Sequence, residues 1–255
     1  MTEAVPPVAV QAADGVVEVT IHRPPLNILD RSLLGRLSVA LEEAEARADG
    51  RVLVLRGIPK AFSAGVAVED HFPERIEGTL AAFRDILLRI ERMERPTVAA
   101  IRGHCLGGGM ELAMACDLAV ASENATFGQP EIRLAAIPPY AVARYPDLVG
   151  PRRAFADLAT GRTFPAKEAM EAGYLTACVP DADLDPWVAR AAKEMAGLSA
   201  DALAVLKRSF RRQTRDDAFA EAERRYVREL ASTPDAVEGL RAFLEKRAPR
   251  WGGRT

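Results

Sequence analysis

The sequence predicts an α/β fold that ends in a helical region, and three observations support this. Short runs rich in β-branched residues alternate with longer segments in which apolar residues recur at helical spacing. The run at 52–55 is apolar throughout, which is typical of a strand buried on both faces of a parallel sheet. After residue 147 the strand signals stop, and every later segment has helical spacing.

The first half of the chain supplies the alternation. The first predicted strand, VVEVTI, is partly alternating and is followed by prolines at 24 and 25. The first predicted helix carries leucines at 33, 34, 37 and 41, which share one helix face. In chain order, we predict strands at 16–21, 52–55, 97–101 and 118–121, and helices at 32–48, around 83–90 and at 108–116. Alternation of this kind is typical of a largely parallel sheet covered by helices.

The second half of the chain is predicted to be helical. The segment STPD at 232–235 is typical of a helix start. The predicted helices span 153–159, 166–172, 187–198, 200–214, 217–230 and 235–247. We therefore expect a mixed core over 1–195 and a helical C-terminal region over 196–255.

Composition excludes several classes of function. Of 255 residues, 49% are hydrophobic and 27% charged, and the net charge of −2 gives no reason to expect a nucleic-acid partner. No apolar run is long enough to span a membrane, and residues 1–4 lack the pattern of a signal peptide, so we expect a cytoplasmic protein with no membrane partner. Three unpaired cysteines imply no disulfide framework. The basic segment at 207–212 is predicted to be a solvated helix face.

Two glycine-containing motifs follow predicted strands. The first, AFSAGV at 61–66, is predicted to be a turn at the edge of the sheet, where Gly65 can present neighbouring N–H groups outward. The second, GHCLGGGME at 103–111, places three glycines between a strand and a helix. A helix N-terminus there favours developing negative charge, so one N–H from each motif could bracket a carbonyl oxygen that becomes an enolate. No Gly-Lys-Ser/Thr follows the glycines, which excludes a phosphate-binding P-loop.

Two glutamates accompany these motifs. Glu111 opens the predicted helix after the glycines, and Glu131 lies in FGQPE at 127–131. Alone, each has an ordinary explanation, since acidic residues are favoured in a first helical turn and on solvated loops. Together with both glycine motifs, they predict a general acid/base pair beside an anion site, which is what addition of water to an activated double bond requires.

These residues resemble the crotonase superfamily, also called the enoyl-CoA hydratase/isomerase family. The resemblance runs from about residue 16 to 250. The stretches that carry it are FSAG at 62–65, PTVAAIRG at 96–103 leading into the glycine motif, ASENATFGQPE at 121–131 and DAVEGLRAFLEKR at 235–247.

The resemblance implies a fold and a substrate. It implies a crotonase-like ββα spiral core, a helical C-terminal region used in trimer formation, and a coenzyme A thioester substrate. A homotrimer or a dimer of trimers is therefore expected. Coenzyme A would be part of the substrate, so no cofactor and no metal are expected. The histidines at 22, 71 and 104 are scattered, and we expect structural or exposed positions for them, with His71 near the presumed site.

The resemblance also implies roles for particular residues. The two oxyanion donors would be the N–H groups of Val66 and Gly108, and the hydratase glutamates would be Glu111 and Glu131. We expect Glu111 to deprotonate a water and Glu131 to protonate the α-carbon, with either role open to sharing between the coupled carboxyls. The remaining substrate-binding residues would be Ala64, Val68, Gly107, Pro138, Tyr140, Phe243 and Lys246.

Two segments depart from the family pattern. Where many members have a glycine-rich turn after the second glutamate, this chain has IPPYAVAR at 137–144, which we expect to form a stiff loop that reshapes the acyl pocket. Where members often have a phosphate-contacting lysine, PPLN stands at 24–27, and Arg23 could substitute. The prolines at 138 and 139, PPLNILD at 24–30 and GVAVEDH at 65–71 resemble the cyclohexa-1,5-diene-carbonyl-CoA hydratases.

Other functions stay open at this point. The leading hypothesis is an enoyl-CoA hydratase. The nearest alternative is an enoyl-CoA isomerase or another reaction of this superfamily. Isomerisation needs only one well-placed base, so two glutamates count against it without excluding it. A non-catalytic acyl-CoA binder is the alternative from a different class, and the altered segment at 138–140 is the feature that keeps it open.

Overall fold

Ten strands form two sheets. The computed structural model describes residues 6–252, except for the side chains at 213 and 214. The strands are Val8–Ala13 (β1), Val16–Ile21 (β2), Val52–Arg56 (β3), Ala61–Ser63 (β4), Thr97–Ile101 (β5), His104–Leu106 (β6), Leu118–Ser122 (β7), Thr126–Gly128 (β8), Thr163–Pro165 (β9) and Ala177–Val179 (β10). The larger sheet has the order β1-β2-β3-β5-β7-β10, and the smaller has the order β4-β6-β8-β9. Both are parallel except at the edge pairs β1–β2 and β8–β9.

Ten α-helices pack around these sheets. They are Arg31–Ala46 (α1), Pro73–Arg92 (α2), Gly108–Ala115 (α3), Pro139–Val149 (α4), Pro151–Thr160 (α5), Ala166–Glu171 (α6), Leu184–Ala196 (α7), Ala200–Ser209 (α8), Gln213–Arg225 (α9) and Pro234–Leu244 (α10). Short 3-10 helices cover Val68–His71, Pro130–Leu134 and Asp181–Asp183, and a π-helix, Tyr226–Leu230, extends α9. Within residues 6–252, no helix is long and apolar enough to cross a membrane.

The order of elements repeats along the chain. In each unit, a strand of the large sheet is followed by a strand of the small sheet and then by a helix, as in β3-β4-α2, β5-β6-α3 and β7-β8-α4. Each unit therefore carries the chain from one sheet to the other and back. The connections from the small sheet to the helices lie side by side, because β4, β6 and β8 are neighbours. Both glycine motifs and Glu131 lie on or beside these connections.

The predicted α/β fold is confirmed, with some differences in detail. The strands at 16–21 and 97–101 have the predicted bounds. The single helix predicted at 200–214 is wrong, because α8 ends at Ser209 and the extended backbone at Arg212 separates it from α9. The stiff loop predicted at 138–140 is also wrong. Pro139 is the first residue of α4, where a helix needs no N–H donor.

The basic segment at 207–212 is only partly solvated, contrary to prediction. Lys207 is 8% exposed and pairs with Asp117, with 2.8 Å between Nζ and Oδ2. Its ammonium also donates to the carbonyl oxygens of Ile90 and Arg95 and to the hydroxyl of Thr97. This charge therefore fixes α8 to the end of α2 and the start of β5.

One buried asparagine connects the first part of the chain to the first glycine motif. Asn27 is fully buried, and its amide nitrogen lies 3.0 Å from the carbonyl oxygens of Ile21, Ala61 and Phe62. The backbone carbonyl of Asn27 accepts from the Ser63 hydroxyl, which in turn accepts from the Gly65 N–H at 3.1 Å. The conformation of the Gly65 turn therefore depends on Asn27.

Replacing Asn27 should destabilise the protein strongly. Asn27→Gly leaves buried carbonyls without donors and avoids strain at the left-handed φ of 51°. We expect the free energy of unfolding in urea to fall by about 3 kcal/mol, since each orphaned buried polar group costs about 1–3 kcal/mol. The matched change at exposed Asn124, Asn124→Gly, should cost under about 1 kcal/mol. Equal losses in the two variants would refute the anchoring role of Asn27.

Candidate active site

A cavity of about 440 Å³ lies where the small sheet meets α2, the Pro130–Leu134 helix and the C-terminal helices. Much of its wall is apolar, and its larger apolar residues include Ile76, Leu80, Phe83, Leu134 and Ile137. Both glycine motifs and both glutamates line it as well. An apolar cavity with a few convergent polar groups is the usual form of a small-molecule site.

The side-chain carboxyl of Glu111 contacts the N-terminus of α4. It lies in the first turn of α3 and is only 4% exposed. Its Oε1 accepts a hydrogen bond from the Ala141 N–H at 2.9 Å. Burial nevertheless raises the pKa of Glu111 to about 7, against the opposing effect of the backbone N–H groups of Ala141 and Tyr140.

Glu131 lies in the Pro130–Leu134 helix and is 8% exposed. When its amide nitrogen faces this carboxyl, Gln129 donates to both Glu131 oxygens at 3.2 and 3.1 Å. Burial, and then the negative charge of Glu111, raise the pKa of Glu131 to about 8. The two carboxyls are therefore close enough to influence each other's titration, and near neutral pH they can hold and exchange protons.

The two glycine turns lie against each other and against Glu131. A Cβ atom placed on Gly65 would lie 3.4 Å from the Gly108 nitrogen, and one on Gly107 would lie 2.6 Å from Glu131 Oε1. Gly65 and Gly107 have φ values of 103° and 52°, which other residues rarely adopt. Glycine is therefore required at both positions, for backbone conformation and for space.

Two backbone donors in these turns are free. Within residues 6–252, neither the Val66 N–H nor the Gly108 N–H donates a hydrogen bond. The Val66 N–H has no partner because Leu29 forms its backbone hydrogen bonds with the residues on either side of Val66, which are Gly65 and Ala67. The Gly108 nitrogen is free because it begins α3. Both residues line the cavity, so two unpaired donors are available beside two carboxyls.

Comparison with known proteins agrees with this geometry. The family model described as enoyl-CoA hydratase/isomerase matches residues 11–254. The chain belongs to the enoyl-CoA hydratase/isomerase family. It is 34% identical to a probable enoyl-CoA hydratase of Bacillus subtilis (strain 168), covering 93% of this chain and 95% of the relative. It is 32% identical to the cyclohexa-1,5-dienecarbonyl-CoA hydratase of Thauera aromatica, with 100% of both chains covered.

Solved structures of enoyl-CoA hydratases share the fold. An enoyl-CoA hydratase from Mycobacterium avium subsp. paratuberculosis K-10 superposes with a TM-score of 0.87 at 28% identity, covering 98% of this chain and 100% of that one. An enoyl-CoA hydratase/isomerase from Xanthobacter autotrophicus Py2 gives the same TM-score at 30% identity and the same coverage. The resemblance predicted from the sequence is therefore confirmed.

Most residues that the enoyl-CoA hydratase/isomerase pattern selects line this cavity. They are Ala64, Val66, Val68, Gly107, Gly108, Glu111, Glu131, Pro138 and Phe243. Two others do not line it. Tyr140 is 2% exposed, and its ring packs edge-on against Phe219 with 5.2 Å between centroids. Lys246 is exposed beyond the end of α10.

Polar residues at or beside the cavity that were not predicted as site residues include His71, Gln129 and Tyr226. His71 is buried in the wall, its Nδ1 lies 2.9 Å from the Ala67 carbonyl oxygen, and burial lowers its pKa. Gln129 contacts Glu131, and Tyr226 reaches the cavity from the C-terminal region. The position of His71 in VEDH already indicated that it lies near the site. Tyr226 was predicted only as part of a charged helix. Within the described chain, no group of three His, Cys, Asp or Glu side chains could hold a metal ion.

The buried carboxyls should make stability depend on pH. Their folded pKa values of about 7 and 8 exceed the ordinary value of 4.5, so the folded state binds more protons above about pH 4.5. The stability contributed by the two carboxyls is therefore full below about pH 4.5, falls as pH rises from there to about 8, and is lost above that. We expect the free energy of unfolding of Glu131→Gln, minus that of the wild type, to rise by about 2–4 kcal/mol between pH 5 and pH 8.5, as measured by urea unfolding.

The exposed carboxylate of Glu123 provides the control for this prediction. Glu123→Gln removes a solvated charge from the turn before β8, so its stability should follow the wild type across the same pH range. Parallel curves for wild type and Glu131→Gln would show that Glu131 titrates at an ordinary pKa.

Proposed function

We propose that this protein is an enoyl-CoA hydratase, which adds water across the α,β double bond of an acyl-CoA thioester. The observation that carries the proposal is the convergence of two buried, mutually coupled glutamates and two free backbone N–H groups on one cavity. Hydration needs both halves of this arrangement. The donors stabilise the enolate oxygen, and the carboxyls transfer the protons.

The thioester carbonyl is assigned to the two free donors. Its oxygen would accept hydrogen bonds from the N–H groups of Val66 and Gly108, and the dipole of α3 adds to their effect. One donor of this kind contributes about 3–4 kcal/mol to stabilisation of the transition state. Because the oxygen becomes more negative as water attacks, these bonds strengthen during the reaction and not in the ground state.

The glutamates are assigned to the two proton transfers. Glu111, the carboxyl with the lower pKa, would deprotonate the water that attacks the β-carbon. Glu131, with the higher pKa, would keep a proton near neutral pH and deliver it to the α-carbon. Because the two carboxyls are coupled, the assignment describes the dominant proton arrangement of the pair. No cofactor takes part in this scheme.

The rest of the substrate is assigned to the mouth of the cavity. Ala64 and Val68, beside the first turn, would contact the coenzyme A chain, while Gly107 and Pro138 line the acyl side. Phe243 and Lys246 would close over the nucleotide end. Tyr140 would act indirectly, because its backbone N–H supports Glu111. We further assign residues 196–255 to trimer formation, as a homotrimer or a dimer of trimers, and the protein to the cytoplasm.

Removing either carboxyl should nearly abolish hydration. We expect Glu111→Gln and Glu131→Gln each to lower kcat for hydration of crotonyl-CoA about 10³-fold, the usual contribution of a positioned acid or base. The assay follows loss of the conjugated enoyl thioester absorbance. Glu123→Gln should keep the wild-type rate. Near-normal hydration in either cavity variant would refute the two-carboxylate mechanism.

A cyclic substrate is the second candidate. The Thauera aromatica relative, named a cyclohexa-1,5-dienecarbonyl-CoA hydratase, is similar over 100% of both chains. In addition, Pro138 and Pro139 stiffen the wall beside Glu131, which would suit a rigid ring.

A substrate screen separates the linear and cyclic candidates. If the second candidate is correct, kcat/KM for a cyclic dienoyl-CoA should exceed that for crotonyl-CoA and for long linear enoyl-CoA by at least about tenfold, since discrimination of shape in an apolar pocket reaches that range. A preference for a linear thioester would exclude it. Tight binding of all thioesters without turnover would support a non-catalytic binder.

A further inference from the structure

Tyr226 is an unassigned polar group in the cavity. The residue is 2% exposed, and within residues 6–252 its hydroxyl makes no hydrogen bond, yet its oxygen is not among the enclosed atoms that lack a partner. An unpaired phenol hydroxyl that opens on a cavity is free to donate to a small molecule there. The ring itself is accounted for, since it packs in a small apolar cluster with Ile76, Ala136 and Ala231. What lacks an explanation is the oxygen.

Tyr226 and both of the proposed reacting carboxyls line the same cavity. Burial and then the charge of Glu131 raise the pKa of Tyr226, so the phenol is neutral and remains a donor at physiological pH. Glu131 is close enough to act electrostatically, although no hydrogen bond joins the two. Because both residues line the same cavity, a small molecule held there can contact both groups.

The backbone supports a functional position for this residue. Tyr226 begins the five-residue π-helix that extends α9, and such local departures from α-helical geometry occur often at functional sites. The π-helix also packs against α2, the helix that carries Ile76. Tyr226 thus brings a side-chain donor from the C-terminal region to a site whose carboxyls and free backbone donors lie between residues 66 and 131.

We propose that the Tyr226 hydroxyl binds the attacking water and holds it between Glu111 and Glu131. This inference rests on the proposed hydratase function and adds a third residue to its water site. Tyr226 donates to one lone pair of the water, which leaves the other lone pair for the β-carbon. Water has two hydrogens, and these point to the two carboxyls.

The proton balance of the step is complete without ionisation of Tyr226. The water oxygen bonds to the β-carbon, and its proton passes to Glu111. The π electrons move towards the thioester, and the α-carbon takes the proton of Glu131. Tyr226 keeps its own proton throughout. The carboxyls then exchange protons with solvent to restore the starting state.

The test compares hydration with a partial reaction that uses no attacking water. A saturated thioester, butyryl-CoA, can only exchange its α-hydrogen for solvent deuterium, which requires a carboxyl base and the two N–H donors. We expect Tyr226→Phe to lower kcat for crotonyl-CoA hydration about tenfold, the effect of losing one hydrogen bond, with KM changed less than about threefold. The ratio of exchange to hydration, measured by mass spectrometry, should therefore rise about tenfold.

Two further variants keep the test decisive. Tyr226→Leu removes the ring as well, and it should shift the same ratio if the hydroxyl is responsible. Tyr145→Phe removes the hydroxyl of a fully buried tyrosine, which donates to Asp157 outside the cavity. It should lower the melting temperature and leave the ratio unchanged.

Each outcome has a distinct meaning. If Tyr226→Phe lowers exchange and hydration equally, or raises only KM, the hydroxyl does not bind the attacking water and the proposal is overturned while the hydratase function stands. If the wild type exchanges the α-hydrogen but hydrates no enoyl thioester, the proposed function itself falls.

Discussion

Two carboxyls buried in an apolar cavity are the constraint on which the rest of this site depends. Burial raises the pKa of both Glu111 and Glu131 towards neutrality, and it works against folding whenever they are ionised. The surrounding structure limits that cost in specific ways. The N-terminus of α4 donates to Glu111, and the Gln129 amide faces Glu131. The same burial brings the pKa of each carboxyl into the pH range in which it can accept and release a proton.

The fold accounts for how these groups meet. Because β4, β6 and β8 are neighbours in the small sheet, the segments that follow them converge at one edge. The first segment brings Val66, the second brings Gly108 and Glu111, and the third brings Glu131. Residues distant in sequence are thereby brought to one cavity by strands only three residues long. Asn27 and Ser63 then fix the conformation of the first of these segments.

Much of this arrangement could be predicted from the sequence. The glycine runs and the glutamates predicted the cavity residues because backbone geometry and charge at those positions have few alternatives. The short strands of the small sheet could not be recognised, since three residues carry no periodicity. Tyr140 was placed in the acyl pocket because two prolines before it resembled a loop. Those prolines begin α4, which directs the Tyr140 ring towards Phe219 and its backbone towards Glu111.

The C-terminal region was predicted as helices without a role at the reacting groups. Its sequence is rich in charge, and nothing in the spacing of Tyr226 distinguishes a cavity residue from a surface one. Only the packing against α2 shows where its ring lies. Tertiary contacts of this kind decide which residues of an amphipathic helix reach a site, and the local pattern does not contain them.

Isotope incorporation tests the central claim most directly, because it follows the atoms that the two carboxyls are proposed to move. Crotonyl-CoA is incubated with the protein in deuterated water enriched in ¹⁸O, and the product is analysed by mass spectrometry before it can exchange further. A hydratase gives a 3-hydroxyacyl thioester with one ¹⁸O at the β-carbon and one deuterium at the α-carbon. A shifted double bond without ¹⁸O, or recovery of unlabelled crotonyl-CoA alone, would contradict the account.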